Sequence, residues 1–212
     1  MSVDRKPFLR RSGVAAPLMV DNIDTDQIIP SREMKTVSRD GLGEALFAGW
    51  RYTAPGGRDE NPDFILNKPA YRQASILLGG QNFGCGSSRE HAVWALKEFG
   101  IEAIIAPSFG EIFSGNCIRN GVLPIIADIE TVEACVRLVE SAPARHVLEI
   151  DLPQQRVSVS DVENVSFGFA IDAYAKRLLT EGLDPIGLTL TRKTEIDAFL
   201  SEDAARRPWI HS

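Results

Sequence analysis

Cysteines and long apolar runs are scarce in this chain, and that scarcity excludes several classes of protein. Its 212 residues include only Cys85, Cys117 and Cys135, which form no C-x-x-C pair and have no zinc-like spacing with a histidine. So few cysteines, odd in number, indicate a reducing compartment. No run reaches the roughly 18 apolar residues of a membrane span, and the first residues lack the apolar core of a signal peptide. We therefore expect a cytoplasmic protein that does not enter a membrane and binds no metal by itself.

Positive charge is also in deficit. The chain has 23 Lys and Arg against 29 Asp and Glu, which gives a formal net charge of −6. A surface of this sign does not attract polyanions, so nucleic acid is not an expected partner and any anion site must be local. The length and the 44% hydrophobic content suit a single globular domain over residues 1–212.

Residues 82–91, with the sequence NFGCGSSREH, form the most informative stretch. An apolar run precedes them at residues 74–78 and an amphipathic pattern follows at residues 92–99, which predicts a strand, a glycine-rich turn and a helix. The N-terminus of a helix binds anions because its first amides lack internal partners and the helix dipole adds positive charge. With the hydroxyls of Ser87 and Ser88 and the guanidinium of Arg89, this turn predicts a site for a carboxylate or phosphate.

Two common glycine-rich motifs do not match this stretch. A phosphate-binding P-loop requires Lys where Cys85 stands, and a dinucleotide fingerprint requires a third glycine where Arg89 stands. A structural alternative remains open from the residues alone, because Ser87 and Glu90 have the spacing of an N-terminal capping box. Similarly, an ion pair with Glu90 or Glu98 is the structural alternative for Arg89.

The rest of the chain predicts alternating strands and helices. Three acids in residues 21–30 favour a turn and a short extended segment, with Asx turns and a helix cap as the structural alternative. Residues 31–67, rich in glycine, proline and charge, predict a flap with one short helix at 41–50. A capping box of Ser108 and Glu111 is expected to start a helix that ends at residues 120–121, where Arg119 and Asn120 form a solvated end. The remaining elements are strands at 14–20, 101–106, 122–127 and 165–171, a hairpin around 153–155, and helices at 131–141, 172–181 and 194–205, the last on the surface.

Residues 82–92 resemble the signature of the aconitase superfamily's swivelling domain. Residues 24–30 (DTDQIIP) and 105–109 (IAPSF), followed by Asn116 and residues 123–124, resemble its companion motifs in order and spacing. Residues 61–64 and 182–190 are similar to the bacterial small subunits of 3-isopropylmalate dehydratase. The resemblance implies an α/β fold, the aconitase-type swivelling domain with three β/β/α layers and a partly parallel central sheet, and a mobile substrate loop at about residues 31–60.

The resemblance also implies an activity and a division of labour between two chains. The family interconverts 2-isopropylmalate and 3-isopropylmalate in leucine biosynthesis by dehydration and rehydration. Its [4Fe–4S] cluster is held by a separate large subunit, so the implied partners are that subunit and a small dicarboxylate. Three alternatives remain: a related hydro-lyase of the citraconate or methylmalate type, a module that binds a dicarboxylate without chemistry, and a structural subunit that only stabilises its partner.

Individual roles follow from position in the motifs. Ser87 corresponds to the catalytic serine, which acts as a base in its alkoxide form, and Ser88 and Arg89 to ligands of the substrate carboxylate. Asp26 corresponds to the acid that orients the arginine and serine. A further substrate-binding cation is assigned to Arg39, with Arg32 and Lys35 as rivals. His91 is expected to be a structural helix residue.

The same resemblance implies that the loop at residues 31–58 approaches the side chain of the substrate. Its apolar members are suited to a branched alkyl group, and they are Met34, Val37, Leu42 and Leu46.

Overall fold

A parallel four-stranded sheet forms the centre of the molecule, which is described by a computed structural model for residues 6–34, 40–162 and 165–210. Its strands lie in sequence order, and they are β2 (Ala15–Leu18), β3 (Ile76–Gly79), β4 (Ala103–Ala106) and β5 (Leu123–Ile126). Each neighbouring pair is parallel. The carboxyl ends of all four strands therefore meet at one edge of the sheet.

Side chains along the central strands alternate between two separate cores. In β4, Ile104 and Ala106 belong to one core, whereas Ala103 and Ile105 belong to the other. This two-residue period is that of a strand with both faces covered, and it explains why these segments are continuous apolar runs in the sequence. The central sheet is therefore the middle layer of the fold.

A second, antiparallel sheet covers one face of the central sheet. Its order is β1 (Arg10–Gly13), β6 (Leu148–Asp151), β7 (Arg156–Val159) and β8 (Ser166–Gly168). Leu148 and Ile150 face the second core, while Glu149 between them is exposed. The hairpin predicted around residues 153–155 joins β6 to β7 and is confirmed.

Helices at residues 25–28, 90–99 and 111–120 pack in the first core and cover the other face, whereas the helix at residues 129–141 packs in the second core together with the antiparallel sheet. The three layers confirm the predicted β/β/α fold class. The helices of the described segments are α1 (Thr25–Ile28), α2 (Ala48–Arg51), α3 (Glu90–Phe99), α4 (Glu111–Asn120), α5 (Ile129–Ser141), α6 (Ala173–Glu181), α7 (Pro185–Leu190) and α8 (Lys193–Arg206). Short 3-10 turns lie at Ser31–Glu33, Ile65–Asn67, Pro69–Tyr71 and Pro208–Ile210. The surface position predicted for the last helix is confirmed, because α8 buries no residue. No helix in the described ranges is long and apolar enough to cross a membrane.

Two expected capping boxes are absent, whereas the helix cap left open as the alternative for residues 21–30 is present. The residue that precedes α3 is Arg89, which makes no side-chain cap, so Ser87 does not cap that helix. Helix α4 likewise starts after Gly110, because the hydroxyl of Ser108 accepts the Asn82 amide instead. Residues 25–28 are helical rather than extended, because Asp24 forms a complete capping box that stabilises one helical turn.

Gly84 allows the motif loop to pass against helix α4. Its φ is 74°, and an added Cβ would lie 2.2 Å from Cγ of the buried Phe113. Gly56 has nearly the same φ, 75°, but a Cβ there would contact nothing within 4 Å. A comparison of the same substitution at the two glycines therefore distinguishes the cost of backbone strain from the cost of steric overlap.

Replacing each of these glycines by alanine is expected to have unequal effects on stability. Gly56→Ala should lower the free energy of unfolding by about 1–2 kcal/mol, the cost of a left-handed backbone for a residue with Cβ. Gly84→Ala should lower it by a further 1–3 kcal/mol or so, because the added methyl overpacks the core against Phe113. Urea unfolding of both variants measures the difference, and equal losses would contradict the predicted overlap.

Candidate active site

Three loops meet at the carboxyl edge of the parallel sheet and hold residues 82–89 between them. On one side, the amide of Gly84 donates to the Ile23 carbonyl at 2.7 Å. On the other, the amide of Gly110 donates to the Phe83 carbonyl at 2.9 Å. Because the motif loop is bonded to the loops after β2 and β4, its polar side chains have fixed positions relative to the sheet edge.

Ser87 is exposed in this loop, and the buried hydroxyl of Thr25 lies next to it. The hydroxyl oxygen of Thr25, the first residue of α1, is 3.0 Å from Ser87 Oγ. Thr25 also donates to the Ser87 carbonyl at 3.1 Å, and its own amide donates to the Cys85 carbonyl at 3.0 Å. Ser87 is thus open to a ligand on its outer side and hydrogen-bonded on its inner side.

Arg89 turns its guanidinium back toward α1. Its Nη1 donates to Oδ1 of Asp26, and the hydroxyl of Ser31 donates to the same oxygen at 2.8 Å. The Arg89 side chain is 24% exposed and that of Asp26 is 53% exposed. A guanidinium has further donors beyond the one that binds Asp26, so Arg89 can be fixed by that carboxylate and still bind a second one.

Glu90 and Glu98, the alternative ion-pair partners of Arg89, bind elsewhere. Glu90 accepts from the side-chain amide of Asn120 at 2.7 Å, and Glu98 accepts from the backbone amides of Gly41 and Gly43 at 2.6 and 2.8 Å. The structural alternative for Arg89 is therefore wrong.

Asn120 is also buried rather than solvated, contrary to expectation. It is 4% exposed and accepts from the indole N–H of Trp94 at 3.1 Å. Its bonds to Trp94 and Glu90 tie α4 to the start of α3. The ring of His91 lies 4.6 Å from that of Trp94, which agrees with a structural role for His91.

The pKa of the Asp26 carboxyl is lowered by the hydrogen bond from Arg89 first and by that from Ser31 second. The ion pair is therefore complete at neutral pH, and its contribution to stability is lost only as the pH falls through this lowered pKa. Arg89→Gln should raise the pKa of Asp26 toward its usual value, about 3.9. A carboxyl-carbon NMR titration of the isolated chain measures this shift.

Asp128 provides the internal control for that titration. Its pKa is lowered too, but the cause is a hydrogen bond with Thr131 at the start of α5. Arg89→Gln should leave the midpoint of Asp128 unchanged while that of Asp26 rises. Equal titration of Asp26 in both proteins would contradict the ion pair.

The structure brings together four of the five predicted site residues. Ser87, Ser88 and Arg89 occupy the exposed end of the motif loop, and Asp26 lies against Arg89. The predicted second cation, Arg39, and its rival Lys35 lie outside the described residues.

The other rival, Arg32, is described and lies close to Asp26. It lines a shallow depression of about 400 Å³ together with Asp26, Ser31 and Trp50. Its Nε is 3.4 Å from the Glu33 carboxylate, which also binds Arg58 at 2.8 Å.

Two of the apolar residues expected to contact a substrate are core residues. Leu42 and Leu46 are 4% and 0% exposed and pack in the core between the sheet and α3. That part of the expectation is wrong, because a side chain enclosed by the core does not reach a ligand. Met34 is partly buried against the same core, and Val37 lies outside the described residues.

Thr25 and Ser31 are site residues that the sequence patterns did not single out. Each makes a hydrogen bond to a predicted site residue, Thr25 to Ser87 and Ser31 to Asp26. The only signal was their place in or beside the DTDQIIP stretch. A hydroxyl next to an acid is ordinary in a turn, so residue type alone gave no reason to select them.

The three cysteines do not assemble into a ligand set. Cys117 is fully buried in one core, and Cys135 is buried in the other, where burial raises the pKa of its thiol to about 11. Cys85 is half-buried in the motif loop, with Sγ 3.4 Å from the Asn22 carbonyl. Across the described part of the chain, no three His, Cys, Asp or Glu side chains are grouped as metal ligands.

Comparisons with known proteins agree with this fold. Residues 5–129 match the model of the Aconitase C-terminal domain. The 3-isopropylmalate dehydratase small subunit of Cupriavidus necator is 56% identical over 97% of this chain and 98% of the relative. That of Dinoroseobacter shibae is 49% identical over 96% and 98%. A crystal structure of 3-isopropylmalate dehydratase from Methanocaldococcus jannaschii aligns with a TM-score of 0.65 at 27% identity, covering 90% of this chain and 99% of that one.

The three layers and the glycine-rich loop at the sheet edge define a swivelling domain of the aconitase type. Within that class, the chain belongs to the family of 3-isopropylmalate dehydratase small subunits.

Proposed function

We propose that this chain is the small subunit of a cytoplasmic 3-isopropylmalate dehydratase, a hydro-lyase of leucine biosynthesis, and that it supplies the base and the carboxylate ligands of a shared active site. The observation that carries the proposal is the arrangement of one loop. In it, the exposed hydroxyl of Ser87 contacts the buried Thr25, and two residues later Arg89 is fixed by Asp26. A proton acceptor and a cation on one short loop suit a hydroxy-dicarboxylate.

Ser87 acts as the base in this proposal. Its alkoxide removes a proton from the carbon next to a substrate carboxylate, so a C–H bond breaks and a serine O–H bond forms. The electron pair left on carbon forms the double bond as the C–OH bond breaks on the neighbouring carbon. In rehydration the same hydroxyl returns a proton to the carbon that lost the C–OH bond, and hydroxide adds to the carbon that lost its proton, which gives the other isomer.

The environment of Ser87 must favour the alkoxide, because a free serine is far too weak an acid at neutral pH. Helix α3 begins three residues later at Glu90, and its unpaired amides and dipole place partial positive charge beside the loop. The guanidinium of Arg89, two residues away in the same loop, adds positive charge that the carboxylate of Asp26 balances only in part. Both effects lower the free energy of an oxyanion relative to the neutral hydroxyl.

Arg89 and Ser88 bind a substrate carboxylate in this proposal. Asp26 holds the guanidinium in place, so less side-chain freedom is lost when the substrate binds. A dicarboxylate requires a second cation, and we assign it to Arg39, with Arg32 and Lys35 as the alternatives.

The departing hydroxide requires a Lewis acid that this chain does not supply. Cys117 and Cys135 lie in different cores and Cys85 in a loop, so they do not fit a three-cysteine cluster site. We assign that role to the [4Fe–4S] cluster of the large subunit, which would supply a Lewis acid for the hydroxyl group of the substrate. Ser87 and Arg89 are therefore half of an active site.

Anaerobic reconstitution with a cluster-bearing large subunit tests the proposal. The mixture should interconvert 2- and 3-isopropylmalate, and neither subunit alone should do so. A panel of 2-hydroxy acids identifies the preferred substrate, and higher kcat/KM on citramalate would instead favour the related hydro-lyase. Binding of a dicarboxylate by this chain with no turnover on mixing would favour a non-catalytic module and contradict the proposal.

A further inference from the structure

The hydroxyl of Thr25 is a buried polar group within hydrogen-bond distance of the reacting atom assigned above. Thr25 is 1% exposed, and its Oγ1 lies 3.0 Å from Ser87 Oγ and 3.1 Å from the Ser87 carbonyl oxygen. A buried hydroxyl needs hydrogen-bond partners, and these two oxygens of one residue provide them. The side chain therefore faces both the reactive oxygen and the backbone of Ser87.

Thr25 has one proton for these two acceptors. When Ser87 is neutral, its own O–H can donate to Thr25 Oγ1, which leaves the threonine proton for the Ser87 carbonyl. That carbonyl has a second donor, the backbone amide of Arg89 at 2.8 Å. The carbonyl consequently keeps a hydrogen bond if the threonine proton turns away from it.

We propose that Thr25 is a positioning residue whose hydroxyl donates to a different oxygen of Ser87 in each charge state of that serine. When Ser87 loses its proton to water, the Thr25 hydroxyl turns from the carbonyl to the negatively charged Oγ and stabilises it. When Ser87 takes a proton from the substrate carbon, the hydroxyl returns to the carbonyl. No bond of Thr25 is made or broken beyond its hydrogen bond, so the residue is unchanged after turnover.

The backbone holds Thr25 in place for this exchange. Its amide donates to the Cys85 carbonyl, and its carbonyl accepts the amide of Ile29 at 3.0 Å. The capping box of Asp24 stabilises the single turn of helix in which it lies. A donor that is already oriented costs little reorganisation when charge develops, which is the condition for effective oxyanion stabilisation.

The inference rests on the proposed role of Ser87, and two pairs of variants test it in the reconstituted complex. In the first pair, Thr25→Val is compared with wild type and replaces the hydroxyl by a methyl group. In the second pair, Thr25→Ala is compared with Thr25→Ser and lacks the hydroxyl that serine retains. In each pair, loss of the hydroxyl should lower kcat by about 10²-fold, the effect of removing one donor to an oxyanion, and change KM less than about twofold. Thermal unfolding of each chain measures the packing change separately.

The dependence of kcat/KM on pH provides a second test, because a change in packing alone would not shift it along the pH axis. Removing a donor to the alkoxide makes that alkoxide harder to form, so the rise of kcat/KM with pH should move to higher pH in Thr25→Val and Thr25→Ala. Thr25→Ser should retain the wild-type profile. If Thr25→Val fails to fold, the comparison of Thr25→Ala with Thr25→Ser decides.

The activity of Ser87→Ala distinguishes a wrong role for Thr25 from a wrong role for Ser87. Equal kcat and equal pH profiles within each pair, with Ser87→Ala inactive, would overturn the role of Thr25 and leave Ser87 as the base. Near-normal turnover by Ser87→Ala would overturn both.

Discussion

Replacing Arg89 by lysine is expected to lower kcat/KM of the reconstituted complex by about 10- to 100-fold, mostly through KM, because charge-assisted hydrogen bonds contribute about 1.5–3 kcal/mol. Lysine keeps the positive charge, but its ammonium lacks the planar fork of a guanidinium. An ammonium that binds Asp26 therefore has no pair of coplanar donors left to bind a substrate carboxylate. Initial rates over a range of isopropylmalate concentrations measure the change.

Arg72→Lys is the matched control for this substitution. Arg72 also binds a carboxylate, donating from Nη1 to Glu60 at 2.9 Å, but it lies on another part of the surface and is 51% exposed. Its replacement should leave kcat and KM within about twofold of wild type, as for a surface ion pair. Equal kinetics for Arg89→Lys and Arg72→Lys would contradict the assignment of Arg89 to substrate binding.

Replacing Ser87 by alanine is expected to have the largest effect of all, a loss of about 10²- to 10⁴-fold in kcat, the range for removal of a proton-transfer group. The fold should tolerate the change. Ser87 is exposed, and Thr25 can still donate to the carbonyl of residue 87. Substrate affinity should change little, because Ser88 and Arg89 remain. The kinetics of the reconstituted complex and the unfolding temperature of the chain measure the two aspects separately.

Two serine controls sharpen the interpretation of Ser87→Ala. Ser158→Ala on strand β7 removes a hydroxyl from the second sheet and should not change turnover. Ser88→Ala removes the neighbouring hydroxyl and should affect KM more than kcat. Near-wild-type kcat for Ser87→Ala would contradict its role as the base.

The sequence predicted the central layer well because the strands there are covered on both faces. A buried strand such as β4 is a continuous apolar run, which is easy to recognise, and the glycine-rich loop that follows β3 has a distinctive composition. The residues of the motif therefore predicted that Ser87 and Arg89 lie in the turn between a strand and a helix.

Local pattern failed where a tertiary contact decides the outcome. Ser87 has the spacing of a helix cap, but its hydroxyl is 3.0 Å from Thr25, a residue 62 positions away in sequence. Leu42 and Leu46 lie in a segment with the composition of a surface loop, yet they fill the core beneath α3. Neither contact is encoded in the residues immediately around it.

The boundary of α1 shows the same limitation at short range. Ile28 and Ile29 favour an extended segment by their β propensity, but the capping box of Asp24 and the burial of both isoleucines stabilise one helical turn. That turn is functionally important in the proposed mechanism, because it points Thr25 at Ser87 and Asp26 at Arg89. Four residues with mixed propensities determine how the site is assembled.

Subunit replacement tests whether this chain contributes the base to an active site that another chain completes. A fixed amount of large subunit is mixed with wild-type chain and increasing amounts of Ser87→Ala chain, and the rate of isopropylmalate interconversion is measured. The rate should fall in proportion to the fraction of variant chain, because the variant assembles with the large subunit but does not turn over. A rate that stays constant as fully assembled variant replaces the wild-type chain would contradict this role of the chain.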